Sequence, residues 1–310
     1  MSHSHSHGHH HHHNHKNVHR TRLWWAFWIN FCFLIIEVLG GIYTNSLALL
    51  SDAGHMLTDV GALGLAIIVS KLAQRPRDEK RTFGYMRAEI IGAFINGATL
   101  VAICGFILFE SFERFRHPQE ILGIPMLIVA VLGLLANLIS AWILMGDRKK
   151  NLNIEGAFLH MIFDAIGSVG AIISGLAIWL WDFQFMDIIA SVMIVVLILI
   201  GTKTLLKQSI NILMNAAPEH IDFHKVKNVL LNMEHITEIH DLHIWTITEG
   251  QPALSVHIKV SDHCHNTHHW SECLKSAQQI LDEQFGIKHC TIQIEPENFE
   301  ELNHHCDEIV

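Results

Sequence analysis

Six stretches of predominantly apolar residues, roughly 23–43, 47–73, 88–112, 121–145, 155–181 and 185–209, dominate this chain of 310 residues. A helix needs about 20 such residues to cross the hydrocarbon of a bilayer. Backbone groups find no water there, so each stretch is confined to a helix. Short polar breaks separate them: Tyr43-Thr-Asn-Ser, QRPRDEKRTFGYMR, ERFRHPQE, GDRKKNLN and WDFQFMD. Charged residues make up only 16% of the sequence, against about 25% in an average soluble domain, which points the same way.

Basic residues orient the spans. Arg20, Arg22, Arg75, Arg77, Lys80, Arg81, Arg148, Lys149, Lys150, Lys203 and Lys207 fall on one side, and the other side has little beyond Arg114 and Arg116. The positive-inside rule then predicts a multi-pass protein of the inner (plasma) membrane with both termini cytoplasmic. A net charge of −9 argues against a general nucleic-acid binder. Six cysteines without a CxxC pair suggest neither a disulfide framework nor a thiolate zinc ribbon.

The termini differ from the middle. Ten histidines fall in MSHSHSHGHHHHHNHKNVH, so residues 1–20 read as a disordered His-rich cytosolic tail that collects metal. A cloning tag is the alternative, although the alternating Ser-His and interrupted run differ from an engineered hexahistidine. Residues 21–213 form the transmembrane domain. From 214 onward, IDFHKVKNVLLNM has helical period, ITEIHDLHIWTI and PALSVHIKV alternate as strands, NTHHWSECLKSAQQILDEQF is helical and HCTIQIEP is a last strand. The αββαβ order predicts a small cytosolic α+β domain over 214–310, with helices on one face of a sheet.

Within the second and fifth spans, polar residues recur at one spacing. His55 and Asp59 are four apart, as are His160 and Asp164. On a helix that spacing leaves each pair about 40° apart around the axis and about 6 Å along it, on one face. Two such faces turned together supply two imidazoles and two carboxylates, a tetrahedral set suited to Zn²⁺ and neighbouring divalent ions including cadmium, cobalt and nickel. Two carboxylates also cancel the ion's charge at bilayer depth. A lone intramembrane histidine or acid often only bridges helices, but neither span carries a basic residue at matching depth and the pair occurs twice. Ligands must shed protons to bind metal, so metal and protons compete for the site. The expectation is a zinc–proton antiporter, and no GxxxxGK[ST] phosphate loop is present. An intramembrane metalloenzyme or a membrane-tethered zinc sensor are the alternatives.

Other membrane polars receive lesser roles. Asn30, Glu37 and Asn137 are expected to line a cavity or bridge helices, and Asp52 to accept protons. Asp187 is read as an inexpensive interfacial acid at the start of the sixth span. Gly40, Gly41, Gly167 and Gly170 are expected to allow close helix contact.

SLALLSDAGHMLTD, RTFGYMRAE, LHMIFDAIGSVGAI and HDLHIWTI together resemble the cation diffusion facilitator family, in its bacterial zinc-exporter branch with a His-rich N-terminus. The resemblance implies a homodimer, six helices per protomer, a transport site at His55, Asp59, His160 and Asp164, and a metallochaperone-like (ferredoxin-like) tail. It further implies zinc ligands at His240, His257 and Glu295, with His243 and His289 nearby and Gln293 replacing a histidine of some members. Positions that hold a second metal in some relatives are Arg81 and Tyr85 here, so that site is expected to be absent. Where the resemblance implies a basic residue before helix three and an acid after helix six that lock the dimer, this chain offers Arg87 but Asn215, a departure from that ionic interlock. His263, His265, His268 and His269 form another cluster, read as solvated, and His304, His305 and Cys306 near the C-terminus are candidates for further metal ligands.

Overall fold

The computed structural model describes residues 13–145, 152–261 and 269–299. Six long helices come first: α1 (His13–Thr44), α2 (Leu47–Ala73), α3 (Ala88–Arg116), α4 (Gly123–Met145), α5 (Leu152–Trp181) and α6 (Phe185–Leu213). They are followed by α7 (Phe223–Leu231), β1 (Ile236–Thr248), β2 (Gln251–Val260), α8 (Trp270–Phe285) and β3 (His289–Pro296). Among the described residues, α1, α3, α4, α5 and α6 are each long and apolar enough to cross a membrane. The helices overrun the apolar stretches, because each added residue contributes one more backbone hydrogen bond wherever its side chain lies. Thus α1 begins at His13, inside the tail expected to be unstructured. Residues 1–12 lie outside the described ones.

The chain divides into two compact units, Met1–Leu63 with Asn96–Lys203 and Gly64–Ile95 with Thr204–Val310. In the first, the apolar core joins Leu47 and Leu49 of α2, Leu100 and Ile107 of α3, Met126 of α4, Ala171 and Ile178 of α5 and Val195 of α6. Glycines set the closest approaches. A methyl on Gly133 would stand 2.6 Å from Phe33, one on Gly40 2.8 Å from Val129, and one on Gly170 2.5 Å from Met193. Gly167 is looser than expected, its nearest neighbour being Asp52 at 3.6 Å. Hydroxyls return to the backbone where no water reaches: Ser51 donates to the Leu47 carbonyl at 2.7 Å and Ser168 to that of Asp164 at 3.1 Å. Asn30 bridges α1 to α4 and α5 through Ser140 at 3.0 Å and Met161 Sδ at 3.2 Å, and Asn137 reaches Ser168 at 3.4 Å. These asparagines join helices, one of the two roles expected of them.

The expectation for Asp187 is corrected. It is 0% exposed and caps another helix. Its Oδ1 accepts from Ser46 Oγ at 2.6 Å and the Ala48 N–H at 3.2 Å, and its Oδ2 from the Leu47 N–H at 2.6 Å. A helix start offers N–H groups without internal partners and a positive dipole end, so a buried carboxylate is satisfied there without solvent.

In the second unit, β1 pairs antiparallel with β2, and β2 pairs parallel with β3. The first pairing turns over Glu249–Gly250, with Gly250 at φ +72° where a Cβ would be strained. The parallel pairing needs a crossover, which α8 supplies. Asp222 caps α7 by accepting from the His224 and Lys225 N–H groups. Gly286, at φ +69°, ends α8 and sends the Ile287 N–H back to the Leu281 carbonyl at 3.0 Å. Leu254, Val256, Ile258 and Val260 of β2 pack with Val226 and Leu230 of α7 and Ala277 and Leu281 of α8. The alternate residues Ser255, His257 and Lys259 therefore occupy the other face of the sheet.

Also in this unit, Arg87 Nη2 donates to Asn215 Oδ1, so a neutral amide holds the guanidinium. Tyr85 donates to Asp78 at 3.0 Å and Arg81 Nη1 lies 3.4 Å from the same carboxylate. The tyrosine hydrogen bond holds the Asp78 carboxyl below its usual range.

Candidate metal centres

The spacing argument places His55 with Asp59 on one face of α2, and His160 with Asp164 on one face of α5. The structure turns those faces together within the first unit. His55 Nε2 lies 3.7 Å from Asp59 Oδ2 and 3.7 Å from Asp164 Oδ1. His160 Nε2 lies 3.1 Å from Asp59 Oδ2 and 3.5 Å from Asp164 Oδ2. Histidine and acid thus alternate around a closed ring, and the imidazoles meet edge to face with centroids 5.5 Å apart. Across the ring, His55 faces Asp164 and Asp59 faces His160, the order produced by helices running in opposite directions. Two donor atoms bound to one zinc at tetrahedral angles stand about 3.4 Å apart. The four observed separations bracket that value; one donor atom each from His55, Asp59 and His160 lie within 4.8 Å of one another, and Asp164 turns a different oxygen to each histidine.

Exposure is uneven. The Asp164 side chain is 3% exposed and His55 21%, whereas Asp59 is 32% and His160 35%. The open layer is the one nearer the end of α2 and the start of α5. Beside the ring, Glu37 of α1 and Asp52 of α2 are buried, 2% and 3% exposed. Asp52 makes none of the four ring contacts.

The second centre lies on the sheet face turned away from α7 and α8. Register sets His240 of β1 opposite His257 of β2, and His257 beside Gln293 of β3. His240 Nε2 is 2.9 Å from Glu295 Oε2, and His257 Nδ1 is 3.2 Å from Glu295 Oε1. Gln293 donates to Glu295 Oε1 at 2.8 Å, and the imidazole centroids are 5.1 Å apart. Glu295 is 2% exposed although Ile294 and Pro296 beside it are only half-buried, which marks it as the anchor of the group. His243 stands at the edge, 2.8 Å from Asp241 Oδ1, while Asp241 Oδ2 is 3.7 Å from His257. Asp241 was not singled out by sequence; the HDLH string held the only signal, and a β-bulge between His240 and His243 is what turns it inward.

His289 is not brought to this centre. It pairs in register with Ala253, four residues from His257 along β2, and its ring lies 5.6 Å from Phe83. His269 pairs with Glu272 at 3.0 Å. His263, His265, His268, His304, His305 and Cys306 lie outside the described residues.

A bundle of long apolar helices holding a histidine–carboxylate ring, followed by a small α+β domain with a second such group, defines a class: membrane proteins that handle metal cations. Residues 23–214 match the family description "Cation efflux transmembrane domain", and residues 218–297 match "Cation efflux protein, cytoplasmic domain". The chain is 44% identical over 86% of its length to a cadmium, cobalt and zinc/H(+)-K(+) antiporter of Bacillus subtilis, covering 85% of that protein. It is 39% identical to the zinc transporter ZitB of Pectobacterium atrosepticum, covering 92% of this chain and 90% of the relative. To the metal cation efflux system protein CzcD of Cupriavidus metallidurans it is 41% identical over 85% of this chain and 82% of the relative. The chain belongs to the cation efflux family. It is a transporter and not an enzyme, and the metalloenzyme alternative falls with that.

Proposed function

We propose that this chain exports zinc, and cadmium with it, from the cytoplasm in exchange for protons, by alternating access around His55, Asp59, His160 and Asp164. The observation that carries the reading is the closed ring of four ligand pairs at 3.1–3.7 Å. Imidazole with carboxylate selects divalent transition ions over calcium or magnesium, which prefer oxygen alone. The same groups accept protons when the ion leaves, so one site carries both species in turn. A relative named as an H(+)-coupled antiporter of cadmium, cobalt and zinc supports the exchange.

The open layer of the ring lies toward the end at which α2 finishes and α5 starts, the end given to the cytoplasm by the basic loops. Zinc enters there in the conformation described. The termini are cytoplasmic in the inner membrane, and the tail joins two protomers as a homodimer. His240, His257 and Glu295, with His243 at their edge, bind zinc as a regulatory ligand of that tail.

The test is zinc uptake by proteoliposomes under an imposed pH gradient. Wild-type protein takes up zinc and dissipates the gradient, and Asp59→Ala or Asp164→Ala abolishes both. Flux that survives either substitution, or that leaves the gradient intact, overturns the reading.

A further inference from the structure

Hydrophobic length by itself sets the depth of a helix such as α2 only loosely. Something else must hold α2 in register with α5. One residue along a helix is about 1.5 Å of travel, whereas a metal site tolerates about 0.2 Å. A small slide of α2 would therefore break the ring.

The fixture lies at the start of α2, about 12 Å from His55 by helical rise. Asp187 of α6 takes the Leu47 and Ala48 N–H groups and the Ser46 hydroxyl, and Ser46 Oγ takes the Leu49 N–H at 3.2 Å. The three first N–H groups of the helix are thus all engaged, two of them by a residue 139 to 140 positions away in sequence. Ser46 and Asp187 are both 0% exposed, so no water competes for these bonds. Asn45, in left-handed backbone at φ +57°, turns the chain into this cap. Arg114, 7% exposed at the end of α3, holds that turn by donating to the Asn45 carbonyl at 2.5 Å and to its Oδ1 at 3.2 Å.

We propose that Asp187 is a positioning residue for transport: by holding the first turn of α2 against the start of α6, it sets the depth at which His55 and Asp59 meet His160 and Asp164. The proposal takes its cargo from the transport reading. It acts through the four ligands and makes no contact with the ion. A carboxylate is required because one oxygen must serve two donors while the other serves a third, in line with the positive end of the helix. An amide offers only one accepting oxygen and turns its N–H groups toward donors.

The experiment compares Asp187→Asn and Ser46→Ala with wild type in two assays on the full chain. The first is proteoliposome flux of zinc and of cadmium against concentration. The second is the tetrahedral absorbance of bound cobalt, with Asp59→Ala as the blank that removes every other histidine from the signal. Asp187→Asn is expected to raise half-saturating zinc about tenfold, as loss of a residue supporting metal ligands does. It also changes the zinc-to-cadmium ratio and distorts the cobalt bands. Ser46→Ala, which leaves both N–H donors in place, moves each readout in the same direction by less. Equal loss of both ions with unchanged half-saturation and cobalt spectrum means a merely structural role and overturns the proposal. Should Asp187→Asn fail to fold, wild-type values for Ser46→Ala overturn it instead. Absence of flux in wild type defeats the transport reading, while the cobalt spectra still decide whether Asp187 positions the ring.

Discussion

Asp164→Asn isolates charge from shape at the ring. The substitution keeps the size of the side chain and removes one of two carboxylates from a position only 3% exposed. Without the ion the change is benign, since an amide is buried more readily than an unpaired carboxylate. With the ion bound, the site is left one charge short, in a setting where removing one partner of a buried ionic group costs about 3–5 kcal/mol. At about 1.4 kcal/mol per factor of ten, affinity for zinc falls about 10²- to 4 × 10³-fold. At the concentration that half-saturates wild type, the variant then transports at about 1% of its maximal rate or less. The assay is initial zinc uptake by proteoliposomes across a wide concentration range, alongside melting of the metal-free protein. Half-saturation within about threefold of wild type would refute the argument, because it would mean that Asp164 does not share the ion's charge.

Lowering the pH on the loading side from 7.5 to 5.5 is expected to raise half-saturating zinc at least about tenfold, since the imidazoles must be neutral to bind and their ordinary pKa is about 6.5; a flat profile would contradict competition at one site. His257→Ala, at a side chain 28% exposed, should lower the zinc bound per chain while flux at saturating zinc persists, measured by metal analysis beside uptake. Gly133→Ala forces a methyl to within 2.6 Å of the Phe33 ring and should cost about 1–3 kcal/mol of stability, seen as a lower melting temperature. The Lys259 ammonium, 2.9 Å from Glu238, holds that carboxyl below its usual range. The pair therefore stabilises the tail only above the ordinary carboxylate pKa, and the effect is lost as pH falls through the lowered value. Glu238 is 56% exposed, so Lys259→Met should change tail stability by less than about 1 kcal/mol in denaturant melts.

What the sequence determined by itself is what depends on near neighbours. Apolar length identified the spans, and the four-residue step of His55–Asp59 and His160–Asp164 placed each pair on one face, because helical period is a local property. The hairpin at Gly250 is local in the same sense. Tertiary structure decided everything that needed two distant segments at once. That His55 faces Asp164 and Asp59 faces His160 follows from opposed helix directions, which no spacing within one helix contains. His257 and His289 read alike in the string, yet strand register brings one to Glu295 and carries the other to Phe83. Asp187 read as an ordinary acid at a membrane boundary and proved to be the buried cap of a helix some 140 residues earlier. Backbone donors at a helix start are the same for every sequence, so only the fold could name the acid that meets them.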